Sequence, residues 1–332
     1  MYPKNLPLDV FDAVCAFLDV SELLSLARAT SRLSPFANRY LYRHLSINSP
    51  ARAIRCLTTL AERPGLALCV RSFSLRLDPT QPILRPFRLV LATAIRHMAN
   101  IITLDLLLDP LTSCSLKDAV DDETVYDRLT SFVSNYSLDA NVARFLRYTP
   151  SICDLQLGGY GTSPAINPLP ISFLPYLSLF IGSCEAVAVL APGRPLESVH
   201  LHSGSLTDDV FVALSRSTGP VKVFGAFTTS LSPNLLSSLA SNLPHIQHLR
   251  IMTMFHSSNH YRDEIFYSQA AQILGALPEL MTAELAGIHL ASLQKKHAAG
   301  VRSDWRDKGF HADDSSNLDS YSVDTLDDFS AY

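Results

Sequence analysis

At residues 196–201 the chain reads LESVHL, in which Leu196, Val199 and Leu201 form an apolar-x-x-apolar-x-apolar pattern. Residues two apart share one face of a β-strand, so Val199 and Leu201 point together into a core while His200 points away from it. The alternation predicts a strand with one buried face and one solvated face.

The same pattern recurs along most of the chain. Its clearest copies begin at residues 101, 152, 174, 196, 246 and 280, and weaker copies lie at 73–77 and 221–225. Successive middle positions are 22 to 34 residues apart, except for one gap of 51 residues that spans about two units. Helix-like runs lie between the strands at residues 208–214, 234–243 and 268–277. One strand-and-helix unit is therefore predicted to repeat many times.

Residues 66–290 resemble a degenerate leucine-rich-repeat solenoid with parallel strands. The Asn or Cys that this family usually carries two places beyond the strand is missing here, which leaves the repeat boundaries open. The number of repeats between residues 107 and 151 also stays open. The acidic segment at 110–135 is either a loop or a decayed repeat that fills the double spacing.

Residues 6–47 read as three short amphipathic helices. The first carries two adjoining apolar stripes, and one small core cannot use both of them. Asp19 and Glu22 have the spacing of a capping box for the second helix. The third is predicted to carry five residues on its apolar side: Leu33, Phe36, Tyr40, Leu41 and Leu45. Three helices of this length make a thin core that needs the rest of the chain or a partner.

This segment resembles the F-box motif. Leu6-Pro7-Leu8-Asp9 opens it, aliphatic residues follow, and Ser31-Arg32 closes it. Asp9 stands where the family usually has Glu, and the Trp that is common after the Ser-Arg pair is absent, with Leu33 nearby instead. F-box helices insert apolar side chains into a groove of a Skp-type adaptor, which links them to a cullin and a RING subunit. The resemblance implies that the adaptor contacts are Leu6, Pro7, Leu8, Val10, Val14, Leu18, Leu23 and Leu24.

The residues between the paired apolar positions of the repeats are mostly polar, and they are expected to form a solvent-facing column. Aromatic and Arg side chains often anchor protein interfaces. The predicted substrate contacts in this column are Arg76, His200, Phe224 and Arg250.

Composition excludes several classes of protein. The chain has 332 residues, of which 47% are hydrophobic and 17% charged, so it is not a mostly disordered chain. Its net charge of -4 offers no general attraction for nucleic acid. Residues 311–332 hold six Asp and no Lys or Arg, and residues 291–332 are predicted to form a polar, acidic, disordered tail.

An apolar segment at residues 171–191 is long enough to raise the question of a membrane span. Pro175 and Glu185 interrupt it, and no basic cluster flanks it, so we expect no membrane association. Asp9, Asp12 and Asp19 interrupt what would be the apolar core of a secretory signal. A cytoplasmic or nuclear location is therefore expected.

No group of residues has the spacing of a catalytic or metal site. His256 and His260 lack the adjacent Glu of a zinc protease, and Pro164 after Ser163 removes the N–H that an oxyanion hole would need. The six cysteines include no C-x-x-C pair. We expect a protein that is not an enzyme, with no metal and no cofactor.

These observations predict an α/β protein in four parts: an F-box helical module (1–47), a linker helix (48–65), the repeats (66–290) and the tail (291–332). The expected function is that of the substrate-recognition subunit of an SCF-type cullin-RING ubiquitin ligase, in the ubiquitin-like conjugation pathway. It would bind a Skp-type adaptor through the F-box and an unknown protein substrate through the repeats. The alternative is a non-catalytic repeat scaffold whose F-box-like segment caps the solenoid without assembling a ligase.

Overall fold

The computed structural model describes residues 8–121, 124–159, 169–170, 172–253, 264–292 and 305–307. These residues form a mixed α/β structure built on one sheet of twelve strands. The strands are β1 (His44–Ile47), β2 (Ser72–Arg76), β3 (Thr103–Leu107), β4 (Ser131–Ser134), β5 (Asp154–Leu157), β6 (Leu179–Ser183), β7 (Ser198–Ser203), β8 (Val223–Thr228), β9 (His248–Thr253), β10 (Thr282–Leu285), β11 (Ile288–Ser292) and β12 (Trp305–Asp307).

The strands lie in the sheet in the order in which the chain visits them. Neighbouring strands from β1 to β10 are parallel, whereas β11 and β12 each pair antiparallel with the strand before them. The prediction of an α/β protein with a mostly parallel sheet is confirmed.

Helices connect most of the parallel strands, as a parallel sheet requires. The α-helices among the described residues are α1 (Leu8–Cys15), α2 (Val20–Ala29), α3 (Ser34–Leu41), α4 (Pro50–Glu62), α5 (Pro64–Ala67), α6 (Arg85–His97), α7 (Cys114–Ala119), α8 (Ala140–Leu146), α9 (Cys184–Leu190), α10 (Asp208–Ser215), α11 (Pro233–Asn242) and α12 (Glu264–Gly275). A short 3-10 helix, Pro110–Ser113, precedes α7.

Two inward positions on each strand build the main core. The first is occupied alternately by Phe and by a smaller apolar residue: Phe73, Leu104, Phe132, Leu155, Phe180, Val199, Phe224 and Leu249 on β2 to β9. The second, two residues later, is Leu75, Leu106, Ser134, Leu157, Gly182, Leu201, Ala226 and Ile251. From β4 onward each Phe is thus followed by a small residue, so large and small side chains share the space beneath each strand.

The strand motif is therefore broader than the apolar-x-x-apolar-x-apolar pattern predicted from the sequence, because its last position can also hold a small residue. On β6 it is Leu177-x-x-Phe180-x-Gly182, and on β8 it is Val221-x-x-Phe224-x-Ala226. The repeat predicted to begin at residue 174 is displaced by three residues, because Phe180 pairs with Leu155 and Val199. The outward placement of Phe224 was wrong, because its ring is fully buried and Gly225 occupies the outward position beside His200.

Other boundaries also differ from the prediction. The segment at 110–135 contains α7 and β4, and β4 pairs with β3, so the segment is not simply an acidic loop. Leu45 lies on β1 and not on the third helix, which ends at Leu41. Helix α4 buries Ala53, Leu57 and Leu60 in the main core, so it is more than a linker. Strands β11 and β12 fall partly within the predicted tail, whose other residues lie outside the described residues.

The first three helices have a core of their own, made of Cys15, Leu23 and Ala37. Half-buried side chains surround it: Leu18, Leu26, Ala27, Phe36, Tyr40 and Leu41. The main core begins beyond this point, with Tyr42 and Leu45 packed against its edge. The segment at 171–191 contains β6 and α9, and no helix in the described part of the chain has the length and apolar content needed to cross a membrane.

We expect the two inward positions of β6 to be energetically coupled. A Cβ on Gly182 would lie 2.4 Å from Cζ of Phe180, so Gly182→Leu alone should overpack the core and cost about 1 to 3 kcal/mol. Phe180→Leu alone should cost about 1 to 2 kcal/mol by leaving a cavity. The double variant recreates the Leu-x-Leu pair of β5 and should be more stable than the sum of the single effects predicts. Urea unfolding of the four proteins measures the coupling, and strictly additive costs would contradict it.

Candidate functional site

The second helix begins with a complete capping box. The Asp19 side chain accepts a hydrogen bond from the backbone N–H of Glu22 at 2.8 Å, and the Glu22 carboxylate accepts one from the N–H of Asp19 at 3.0 Å. The hydrogen bond from the Glu22 N–H and, second, one that the Ser21 hydroxyl donates to the same carboxylate lower the pKa of Asp19. The helices are further joined by Tyr40, whose hydroxyl donates to the carbonyl of Asp12 at 3.1 Å, and by the Arg39–Asp12 ion pair. The three-helix unit is thus held together by polar contacts as well as by its small core.

Large apolar side chains on this unit remain exposed. Phe17 is 90% exposed and Val20 67%, and three more are exposed by about two fifths of their surface: Val10, Val14 and Leu24. We call these five residues the helical patch. They lie within fifteen residues of sequence on α1, α2 and the turn between them. Clustered exposed apolar groups of this kind mark sites of protein association.

The structure sorts the predicted adaptor contacts into three groups. Val10, Val14 and Leu24 belong to the helical patch. Leu18 is half-buried and Leu23 buried in the three-helix core, so Leu23 offers no surface to a partner. Leu6 and Pro7 lie outside the described residues, and only the backbone of Leu8 is described. Phe17 and Val20 were missed as contacts, although Phe17 lies on the second apolar stripe that the helical spacing indicates.

The outward face of the sheet is the second candidate surface. Its central column runs from β2 to β10 through Ser74, Asp105, Val133, Gln156, Ile181, His200, Gly225, Arg250 and Glu284. The middle of the column combines Val133, Ile181 and Gly225 with the polar Gln156 and His200, whereas charged side chains lie toward both ends. The inward side chains fill the core. The side chains of this column point to the other face of the sheet, so residues of different chemistry occupy its positions.

Toward β2 the column carries a compact ionic group. Asp105 is buried, and its Oδ2 accepts hydrogen bonds from Arg76 Nε and from Ser74 Oγ, both at 2.8 Å. Two strands on, Asp154 accepts from Ser131 Oγ at 3.0 Å, and burial raises the pKa of this carboxyl. Arg76 keeps more than half of its side chain exposed, so it can still meet a partner from this position.

Toward β10 the column carries a second ionic group. Arg250 pairs with Glu284 at 3.2 Å, and His289 on β11 lies 3.7 Å from the same carboxylate. His200, on β7, lies 3.3 Å from the hydroxyl of Ser198 through its Nε2. Burial and, second, the positive charge of Arg250 lower the pKa of His200. The imidazole is therefore favoured in its neutral form.

Of the four predicted substrate contacts, three lie on this face. His200 and Arg250 share the central column, whereas Arg76 lies one outward position further along β2, pairs across to Leu107 and reaches the column through Asp105. Phe224 lies in the core and is excluded. The sequence did not predict Val133 and Ile181 as outward residues of the central column. Val133 lies on β4, a strand that the pattern missed, and Ile181 lies on β6, where the predicted register was wrong.

The described residues include no group of three His, Cys, Asp or Glu side chains placed to hold a metal ion. His202, one candidate from the sequence, has its Nε2 3.0 Å from the carbonyl oxygen of Leu157. Comparison with models of known protein families and with curated protein sequences found no match.

We expect His200 to make the fold sensitive to mild acid. Because its pKa in the folded state lies below its ordinary value of 6.5, protonation favours the unfolded chain. The stability present above pH 6.5 should fall as the pH drops through that value toward the folded pKa. His200→Gln should remove up to about 1 kcal/mol of the loss between about pH 7.5 and 5.5. Urea unfolding at both pH values is the measurement, with His44→Gln, an exposed histidine on β1, as the control. An unchanged pH dependence in His200→Gln would refute this assignment.

Proposed function

We propose that this protein is the substrate-recognition subunit of an SCF-type cullin-RING ubiquitin ligase, which binds a Skp-type adaptor through its three-helix unit. The helical patch carries the proposal, because a unit with so small a core leaves five large apolar side chains in water. Such exposure is unfavourable unless a partner covers it. The resemblance of residues 6–45 to the F-box motif supplies the identity of that partner.

The energetics of the patch fit a docking role. Complete burial of a large apolar side chain contributes about 1.5 to 3 kcal/mol, and Phe17 alone has nearly all of its surface available. Phe17 lies between Val14 and Val20 in the sequence, and an exposed aromatic residue is a common anchor of a protein interface. The capping box and the Arg39–Asp12 pair hold α1, α2 and α3 in place before binding, which lowers the entropic cost of docking.

We further propose that the remainder of the chain is a leucine-rich-repeat-like solenoid that holds a protein substrate on its outward face. The succession of strands in chain order and the strand-and-helix unit support this interpretation. A centre of mixed apolar and polar residues, with ionic groups at both ends, suits a protein surface of mixed character. Catalysis would then be by proximity, since the receptor raises the local concentration of substrate lysines near the ubiquitin-carrying enzyme and performs no bond chemistry itself.

Charged substitutions in the helical patch should abolish adaptor binding. Val14→Asp with Phe17→Asp would bury two carboxylates at the interface, and we expect the affinity for the adaptor to fall at least about 100-fold. The measurement is co-purification of the full chain with a Skp-type adaptor and a cullin. Ile54→Asp is the matched control, because Ile54 is a similarly exposed aliphatic residue on α4, outside the three-helix unit.

Circular dichroism should show the same folded signal in the parent and in both variants, since none of the three positions lies in a core. Adaptor binding that survives the double substitution would refute the assignment of the patch. A parent chain that captures neither adaptor nor cullin would instead favour the scaffold alternative, in which the F-box-like helices only cap the repeats.

A further inference from the structure

The chain enters every parallel strand at the same edge of the sheet, which we call the amino edge. Arg43 and Arg71 occupy equivalent places there, directly before β1 and β2, and the Arg71 N–H donates to the Arg43 carbonyl at 2.9 Å. Arg39 lies in the last turn of α3, and Arg128 lies shortly before β4. We call these four residues the arginine edge.

The positive charges of the other three arginines all act on Arg71. Burial and, after it, the positive charges of Arg128, Arg43 and Arg39 lower the pKa of Arg71. Like charges that repel one another at a surface cost free energy, and an anion bound among them recovers it.

Only two of the four arginine side chains make hydrogen bonds or ion pairs with residues that the structure describes. The Arg71 guanidinium donates to the carbonyls of Leu68 and Asn100 at 3.3 and 2.9 Å, and Arg39 pairs with Asp12 at 3.1 Å. The side chains of Arg43 and Arg128 are exposed and make no hydrogen bond or ion pair with any residue that the structure describes. Their charge is therefore available to a ligand.

The part of the sequence that contains three of these four arginines is strongly basic as a whole. Residues 28–96 contain twelve Arg and no Lys, against only Glu62 and Asp78. The opposite composition occurs in residues 311–332, with six Asp and neither Lys nor Arg. We propose that the arginine edge binds this acidic segment of the same chain.

The length of the chain permits such docking. Segment 308–332 has 25 residues and can span up to about 85 Å when extended. The arc along the sheet from β12 to β2 covers ten strand spacings of about 4.8 Å, or about 48 Å. At about 3.4 Å per residue an extended chain covers that distance in about 14 residues, so Asp324, Asp327 and Asp328 are the acidic residues that can reach β2.

The chemistry favours carboxylates over a polynucleotide. A guanidinium presents a planar fork that matches a carboxylate through two parallel hydrogen bonds. Four arginines on one short edge match a few acidic side chains, whereas nucleic acid is bound by longer basic surfaces, and the net charge of the whole chain is -4. The acidic segment is present in every copy of the protein at equal concentration.

The experiment uses the full chain and a fluorescent peptide with the sequence of residues 311–332. In the chain to be titrated, all six Asp of that segment are replaced by Asn, so that its own segment no longer competes. We expect the anisotropy of the peptide to report binding that weakens as NaCl is raised. Arg43→Gln with Arg128→Gln in this background should reduce the affinity about ten-fold. Arg52→Gln with Arg85→Gln is the matched control, because these exposed arginines begin α4 and α6 at the opposite edge.

Competition tests whether the docking is intramolecular. The parent chain, with its own Asp residues intact, should bind the added peptide at least about five-fold more weakly than the neutralised chain. Equal affinity for the two chains overturns the proposal, as does peptide binding that the Arg43 and Arg128 substitutions leave unchanged. A single-stranded RNA that binds the edge in the absence of any peptide binding also overturns it.

Discussion

The space between the sheet and its helices is the constraint on which the rest of the molecule depends. Each parallel strand places two side chains into that space, and dense packing requires their combined volume to stay within narrow limits. Phe180 with Gly182 and Leu155 with Leu157 are two solutions of the same requirement on neighbouring strands. Where one position takes a ring, the next has little room, as the 2.4 Å approach of a Cβ on Gly182 to Phe180 demonstrates.

This constraint explains where variation is permitted. The volume of the core limits which side chains fit at the inward positions. These positions therefore hold Phe, Leu, Val or Ile, or a small residue. Outward positions face no such limit and hold residues as different as Ile181, His200 and Gly225 at one level of the sheet. The three-helix unit lies before the first strand and has a smaller core of its own, so its apolar residues outnumber the buried positions available to them. The helical patch consists of apolar residues for which this small core has no buried position.

The sequence predicted the strands best where both inward positions hold aliphatic residues. The strands at Leu155, Val199 and Leu249 follow the simple leucine pattern, and the structure has them in that register. The errors fell on β4, β6 and β8, where Phe is followed by Ser, Gly or Ala and no second large apolar residue marks the strand. Leu45 was assigned to a helix because its spacing also fits a helix, and only pairing with β2 distinguishes the two. The helical patch could be recognised as apolar, but which residues face water depends on a core too small to specify from spacing alone.

The distribution of charge follows from the direction of the strands. A helix that follows a parallel strand begins at the edge where that strand ends, and there Asp139 and Ser183 accept hydrogen bonds from the first turns of α8 and α9. The C-termini of these connecting helices lie at the opposite edge, and free carbonyls at a helix C-terminus favour cations, which Arg71 illustrates through its bond to Leu68, the C-cap of α5. The carbonyls at helix C-termini thus give a structural reason for arginine at the amino edge. Two of its four arginines make the local contacts, and the other two are those on which the proposed docking of the acidic segment depends.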